Sequence, residues 1–360
     1  MEIIFLNPIE GDLLITGADG ELSAGALLTP VRVQAPPLCG LRINGLPARY
    51  ENGVYEARVP LRRGFNRIEA TAGDGTSAAI RVWWLEGAQY KYRFTVDDCI
   101  RCFEDIAAHA HTYRSIFENP FLNLFHRAHE EYGSKVHINV FYETVDGAFN
   151  LSMMPDCFRE EFGANAGWLS LSFHAMREFP DEPYRDADYA TVMADCERVT
   201  RQIIRFAGEK VLRNSTTLHW GAANARGVRA LHDSGFRALC GYLCFDEKGD
   251  PLVSYHLTPA QVAHAEKREG WVDFDEDVIF TKLDFVLNSD QFPAHRVAPY
   301  LDELSARPHE GRFIQMVIHE QYFYPDYFHY EPDYAQRVMN MARWMKSHGY
   351  ESVSLDELIR

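Results

Sequence analysis

The sequence predicts an α/β protein in two parts, a small all-β sandwich over residues 1–88 and a (β/α) barrel over residues 89–360. Three observations predict it. Up to about residue 88, Gly and Pro punctuate short runs of alternating apolar and polar residues, the mark of a small antiparallel sheet protein. Beyond that point short apolar runs alternate with long helical stripes, the mark of a parallel sheet with helices outside it. The second part, roughly 270 residues, is long enough for a (β/α) barrel.

In the first part, Asn44-Gly45 divides the apolar runs of LRINGLPARY and signals a hairpin, because both residues tolerate the positive φ of a two-residue turn. VYEARVPL places Tyr55, Ala57 and Val59 on one face. FNRIEATA and AAIRVWWL follow, with Ile80, Val82 and Trp84 sharing a face. In the second part, the strand-like YRFTVDD precedes a helical stretch from 103 to 132 and then the strand-like KVHINVFYE. GWLSLSFH precedes the helix-like YATVMADCERVTRQIIRFAG and then STTLHW. NARGVRALHDSG reads as a helix ended by Gly235, ahead of RALCGYLCF. RFIQMVIH comes late, and the helix after it aligns Val338, Met341, Trp344 and Met345 in one stripe.

The 360 residues are 46% hydrophobic and 24% charged, with a formal net charge of -16. That field repels phosphate, and no basic run offsets it, so no nucleic-acid partner is expected. No run approaches the roughly 20 apolar residues of a membrane span, so no membrane partner is expected either. The start, MEIIFLNPIEGDLL, shows neither a basic stretch nor a long apolar signal core, and the seven cysteines lack the spacing of a disulfide framework. Reduced thiols and a cytoplasmic location are expected. The pattern sets no oligomeric state.

Chemistry in a (β/α) barrel sits at the C-terminal ends of the strands. YRFTVDD delivers two adjacent carboxylates, Asp97 and Asp98, to such an end, where they repel one another and lose hydration. A turn would tolerate the pair, and a cation would offset the repulsion. Three histidines hold equivalent positions: His174 in LSLSFH, His219 in STTLHW and His319 in QMVIH. Agreement among four separate strand ends points to a metal-assisted site at one rim.

Taken in order, these motifs resemble the polysaccharide deacetylase family, the NodB-homology domains of carbohydrate esterase family four, over roughly residues 90–360. Thr95-Val96-Asp97-Asp98-Cys99 is similar to the family's Thr-Phe-Asp-Asp-Gly, which implies Asp97 as general base and Asp98 as a metal ligand. The family's His-Ser/Thr-x-x-His appears as His174 followed by Glu178, which implies Asp98, His174 and Glu178 as the ligand set. The family's Arg-x-x-Pro-Tyr/Phe-Gly is matched at Trp220 and Gly221, with Thr217 where the arginine would stand. It implies that the Trp220 backbone N–H helps form an oxyanion hole. His219 has no family counterpart; it is expected either to replace the missing arginine's support or to join the metal. Met316-Val317-Ile318-His319 is similar to Leu-x-Ile-His and implies His319 as general acid. For the family's Asp-x-x-Asp-Trp, TKLDFVLN offers Asp284.

The resemblance therefore implies a deacetylase-type barrel: a metal-dependent hydrolase that removes N-acetyl or O-acetyl groups from an oligo- or polysaccharide. The first part looks like the immunoglobulin-like accessory domains of carbohydrate enzymes. The expected ion is zinc, with manganese or cobalt as alternatives, since a Glu in the ligand set hardens it. HEQYFYPDYFHY, 319–330, follows His319 with aromatic rings suited to sugar C–H faces, so Tyr322 and Tyr324 are expected to touch substrate. Two rival readings stay open. The missing arginine and Glu178 fit a carbohydrate-binding relative without turnover. Asp97 with Glu178 or Glu320 fits a glycoside hydrolase on the same barrel. Cys99 and Cys102 with Cys240 and Cys244 form a nominal zinc set, although helical spacing favours plain packing.

Overall fold

The computed structural model describes residues 2–359. Residues up to Trp84 form two five-stranded sheets. One runs Ile4–Asn7, Ala26–Gln34, Val54–Leu61, Arg49–Glu51, with Glu21–Ser23 also paired to Ala26–Gln34. The other runs Leu13–Leu14, Ser77–Trp84, Gly64–Thr71, Arg42–Ile43, Leu46–Pro47. The alternation in the sequence decides which side is covered: Tyr55, Ala57 and Val59 share a buried core with Ile68, Ile80, Val82 and Trp84. The Asn44-Gly45 turn forms, with φ of 46° and 77°, and joins Arg42–Ile43 to Leu46–Pro47.

From Lys91 the chain alternates strand and helix. Five strands of a six-stranded sheet lie parallel in the order Leu169–Ala175, Val136–Phe141, Lys91–Cys99, Phe313–His319, Phe285–Val286, with Glu351–Ser352 also paired in parallel to Lys91–Cys99. A second sheet holds Ser215–Thr216, Ala238–Gly241 and Val278–Lys282 in parallel, with Gly270–Asp273 antiparallel at its edge. The parallel ladders agree with the barrel expected from the sequence. Among the described residues, however, no continuous ladder closes the two sheets into one cylinder. Other bonds join them. The Ser172 hydroxyl donates to the Ser215 carbonyl at 3.0 Å, and the Asp284 amide donates to the Gln315 carbonyl at 2.7 Å. STTLHW ladders only over Ser215–Thr216 because the chain then bends into a tight turn over His219–Gly221.

The helical stretch expected over 103–132 is two helices, Arg101–Ala108 and Pro120–Tyr132. Capping chemistry divides it. Ser115 and Glu118 form a capping box, and Asn119 caps the second helix with Pro120 at its first position. The later helices form as expected, and Val338, Met341, Trp344 and Met345 of Tyr334–Ser347 are all buried. The sandwich packs directly on the second part: Leu13, Ile15, Leu85 and Ala88 join one apolar cluster with Ala238, Val272, Ile279 and Phe313. Asp19 locks the same contact. Its carboxylate accepts from the Ile15 amide at 2.8 Å and from Arg268 at 2.6 Å, and it lies 3.0 Å from His309 Nε2.

Candidate metal centre

Adjacent residues of a regular strand point to opposite faces, so Asp97 and Asp98 should part company. They do not, because the ladder to Val136–Phe141 slips between Val96 and Cys99 and Asp98 takes a left-handed φ of 61°. This bulge turns both carboxylates into one cavity of about 600 Å³ at the strand ends.

Three donor atoms meet there. His174 Nε2 lies 2.9 Å from Asp98 Oδ1, His219 Nδ1 lies 3.1 Å from the same oxygen, and the two ring nitrogens lie 3.2 Å apart. The remaining ring nitrogens settle the tautomers. His174 Nδ1–H donates to the Thr217 carbonyl, and His219 Nε2–H donates to the Glu178 carbonyl at 2.9 Å. A carbonyl only accepts, so both rings carry their proton on the outer nitrogen and aim lone pairs inward. Two lone pairs and a carboxylate oxygen converging on one point repel unless a cation sits among them. A tetrahedral ion with ligands at about 2.05 Å needs donors about 3.3 Å apart, close to the triangle found. The donors therefore fit a small divalent ion. Among the described residues this is the only cluster of three or more such side chains.

The charges are consistent with that fit. Burial alone would raise the Asp98 carboxyl, yet the facing rings of His174 and His219 and the nearby His319 hold it well below the usual carboxylate range. Burial also works on Asp97 and here prevails, pushing its carboxyl upward against the nearby His174 and His319 and a 2.6 Å bond from Asn139. Asn139 is itself held by the Thr216 hydroxyl at 3.0 Å.

Glu178 does not complete the ligand triangle. The segment after Leu169–Ala175 leaves the strand as a bent loop, and the Glu178 main-chain carbonyl, not its carboxylate, reaches His219. Its carboxylate lines the cavity 3.5 Å from Gln321 Nε2. The third donor is His219 instead. Asp284 is equally misplaced for orienting His319: it is buried, accepting from the Gln315 amide at 2.7 Å beside Lys282. Asn288 takes that role. Its Oδ1 accepts from both His319 Nδ1–H, at 3.0 Å, and the His319 amide, at 2.9 Å.

His319, Trp220 and Tyr322 all line the cavity. Trp220 sits at φ 61° and is 42% exposed. Gly221 follows at φ 49°, where a Cβ would fall 2.5 Å from Val253, so only glycine lets this loop close. Tyr324 is turned away from the cavity: its hydroxyl donates to Glu320 at 3.2 Å and its ring lies 4.0 Å beneath the Arg101 guanidinium. Glu320 is buried too. It accepts from the amides of Ile100, Arg101 and Cys102 at 2.6, 2.8 and 2.7 Å, capping the Arg101–Ala108 helix. It is therefore not available as a second carboxylate across a sugar. Sequence reasoning missed Asn139, Asn288 and Gln321, whose Nε2 donates to Asp98 Oδ2 at 2.8 Å.

No family model matches this chain. No curated protein matches it. Among solved structures it is similar to a 4-α-glucanotransferase from Thermococcus litoralis, with 13% identity over 75% of this chain and 40% of that one, TM-score 0.47. It is similar to Agd3, a carbohydrate deacetylase, with 8% identity over 82% and 63% of the two chains, TM-score 0.42. It is also similar to a protein described as a polysaccharide deacetylase of O-antigen biosynthesis in Bordetella bronchiseptica, with 11% identity over 73% and 93%, TM-score 0.36. The chain spans less than two thirds of the first two. At these identities and scores the likenesses assign it no activity.

Proposed function

We propose that the chain is a metal-dependent carbohydrate deacetylase, hydrolysing N-acetyl (or O-acetyl) groups on an oligo- or polysaccharide. The observation that carries this reading is the triangle of Asp98, His174 and His219, whose outer ring nitrogens are already committed to carbonyls. With two imidazoles and one carboxylate, zinc suits the donors better than manganese, and cobalt can substitute. The bound ion would supply Lewis acidity, polarising the acyl oxygen and acidifying water.

The chain's own groups divide the remaining work. Asp97, steadied by Asn139, takes the proton of the attacking water. The Trp220 N–H, at the left-handed turn before Gly221, would donate to the oxygen on which charge develops. His319, oriented by Asn288, delivers a proton to the departing amine. Asn139 gives Asp97 the support that the missing arginine would have given, which favours turnover over an inert binding relative. Tyr322 and the rings of Phe179, Trp220 and Phe328 offer apolar faces to sugar.

The test is acetate release from N-acetylated oligosaccharides by zinc-, manganese- and cobalt-loaded protein, with products resolved by mass. Acetate with intact glycosidic bonds supports the reading, whereas cleaved sugar without acetate refutes it.

A further inference from the structure

We infer that the cavity selects glycans carrying free amino groups beside the acetylated residue, over neutral glycans and still more over anionic ones. This rests on the deacetylase reading above and names its substrate class. Five carboxylates line the cavity, from Asp97, Asp98, Glu178, Asp181 and Asp290, and among the described residues neither lysine nor arginine lines it. A divalent cation at the metal centre and the proton-bearing His319 offset three of those charges. The exposed Asp181 and Asp290 remain, and among the described residues neither pairs with a lysine or arginine.

Their placement matters. Asp181 lies in the loop after Leu169–Ala175, and Asp290 in the loop after Phe285–Val286. These two strands are the opposite edges of the five-stranded parallel order. Both aspartates are exposed. A sugar chain lying across the cavity mouth therefore meets one acidic group on either side of the acetyl group being hydrolysed.

A second feature points the same way. Gln321 is 7% exposed and lines the cavity, with its Nε2 committed to Asp98. Its Oε1 is buried and has no hydrogen-bond partner. An unmet acceptor of this kind calls for a donor, and an ammonium offers three N–H groups where an acetamide offers one and a carboxylate none. The rings of Phe179, Trp220 and Phe328, exposed by 50%, 42% and 77%, supply the charge-independent part of the grip. Each hydrolysis converts a neutral acetamide into an ammonium, so a partly processed chain binds more tightly than a fresh one.

The test is calorimetric titration of the zinc-loaded full chain carrying His319→Gln, so that acetyl turnover is blocked while the ion stays in place. Three probes of equal length are compared: a fully N-acetylated chito-oligosaccharide, one with about half its residues deacetylated, and a hyaluronan oligosaccharide. The half-deacetylated probe is expected to bind about tenfold more tightly than the neutral one at low salt, with the gap closing as salt rises. Hyaluronan is expected to bind most weakly. Asp181→Asn with Asp290→Asn should shrink the gap about three- to tenfold and leave the neutral probe's Kd in place. Glu160→Gln with Glu303→Gln removes equal charge from exposed positions outside the cavity and should leave the gap intact. Equal affinity for the neutral and amine-bearing probes, or a gap that the distant pair closes equally well, overturns this inference. If metal-loaded wild type still releases acetate, the deacetylase reading survives that result. Failure of all three probes to bind, with no acetate released, overturns both.

Discussion

Asp19→Ala probes the joint between the sandwich and the parallel sheets. The Asp19 side chain is 5% exposed and that of its partner Arg268 is 10% exposed. Removing one partner of a buried ion pair costs about 3–5 kcal/mol, because the other charge is stranded. Here Arg268 keeps the Asn7 oxygen at 2.5 Å and Asp12 at 3.5 Å, which places the loss at the low end, near 3 kcal/mol. The Ile15 amide also loses its acceptor, adding about 1 kcal/mol. With an unfolding entropy of about 2.1 cal/mol/K per residue, a total near 4 kcal/mol lowers Tm by roughly 5 °C if the chain melts as one unit. Urea and thermal denaturation measure both. The dependence on pH has a definite sign. Burial would raise the Asp19 carboxyl, but the bond from His309 and the charge of Arg268 bring it below its ordinary 3.8. The stability it contributes is therefore fully present above about pH 4 and lost as pH falls through the lowered value. The gap between wild type and variant should shrink only in that acid range. A variant within about 0.5 kcal/mol of wild type at pH 7 would refute the reasoning.

The other expectations concern the cavity. Asn139→Ala removes the 2.6 Å bond that favours the charged form of Asp97, so the Asp97 carboxyl should rise further. Losing a bond to a buried charge costs about 1.5–3 kcal/mol, or about 10- to 100-fold in kcat/KM near neutrality. The acid limb of the pH–rate profile should move upward, and an unmoved limb would remove Asp97 from the role of base. Glu320→Ala strands three amides at the start of the Arg101–Ala108 helix and should cost about 3 kcal/mol in urea, with zinc binding retained. Loss of activity at unchanged stability would instead restore Glu320 to a catalytic role.

The sandwich was legible because its long strands each have one wet face, and alternation records that directly: Tyr55, Ala57 and Val59 are buried as the pattern requires. The strand-end residues Asp97, Asp98, His174, His219 and His319 were legible because a parallel sheet gathers its strand ends at one rim. Glu178 and Tyr324 were misread because position after a strand says little about direction once the chain enters a loop. A bent segment turned the Glu178 carbonyl inward, and Tyr324 turned toward Glu320. The break inside 103–132 was written in Ser115, Glu118, Asn119 and Pro120, whose capping roles outweigh the helical periodicity around them. Asn139 left a fainter trace. In YRFTVDD, KVHINVFYE and GWLSLSFH polar residues recur at every second position, as Thr95 and Asp97, His137 and Asn139, and Ser170, Ser172 and His174. All are buried, and several bond across to neighbouring strands, Asn139 to Asp97 and His137 to Ser172. A period-two polar row inside an otherwise apolar strand marks an interior built of side-chain bonds, and that row contained the residue that steadies Asp97.

The central claim is that Asp98, His174 and His219 hold one divalent ion. Zinc content after equilibrium dialysis, measured for wild type, His219→Ala and Glu178→Gln, tests it most directly. One ion per chain is expected for wild type. His219→Ala should weaken affinity at least 100-fold, beyond the 10- to 100-fold typical of supporting residues. Glu178→Gln, which keeps the carbonyl that orients His219, should hold zinc within about threefold of wild type. A wild-type chain that takes up no ion, or zinc lost in Glu178→Gln and kept in His219→Ala, would contradict it.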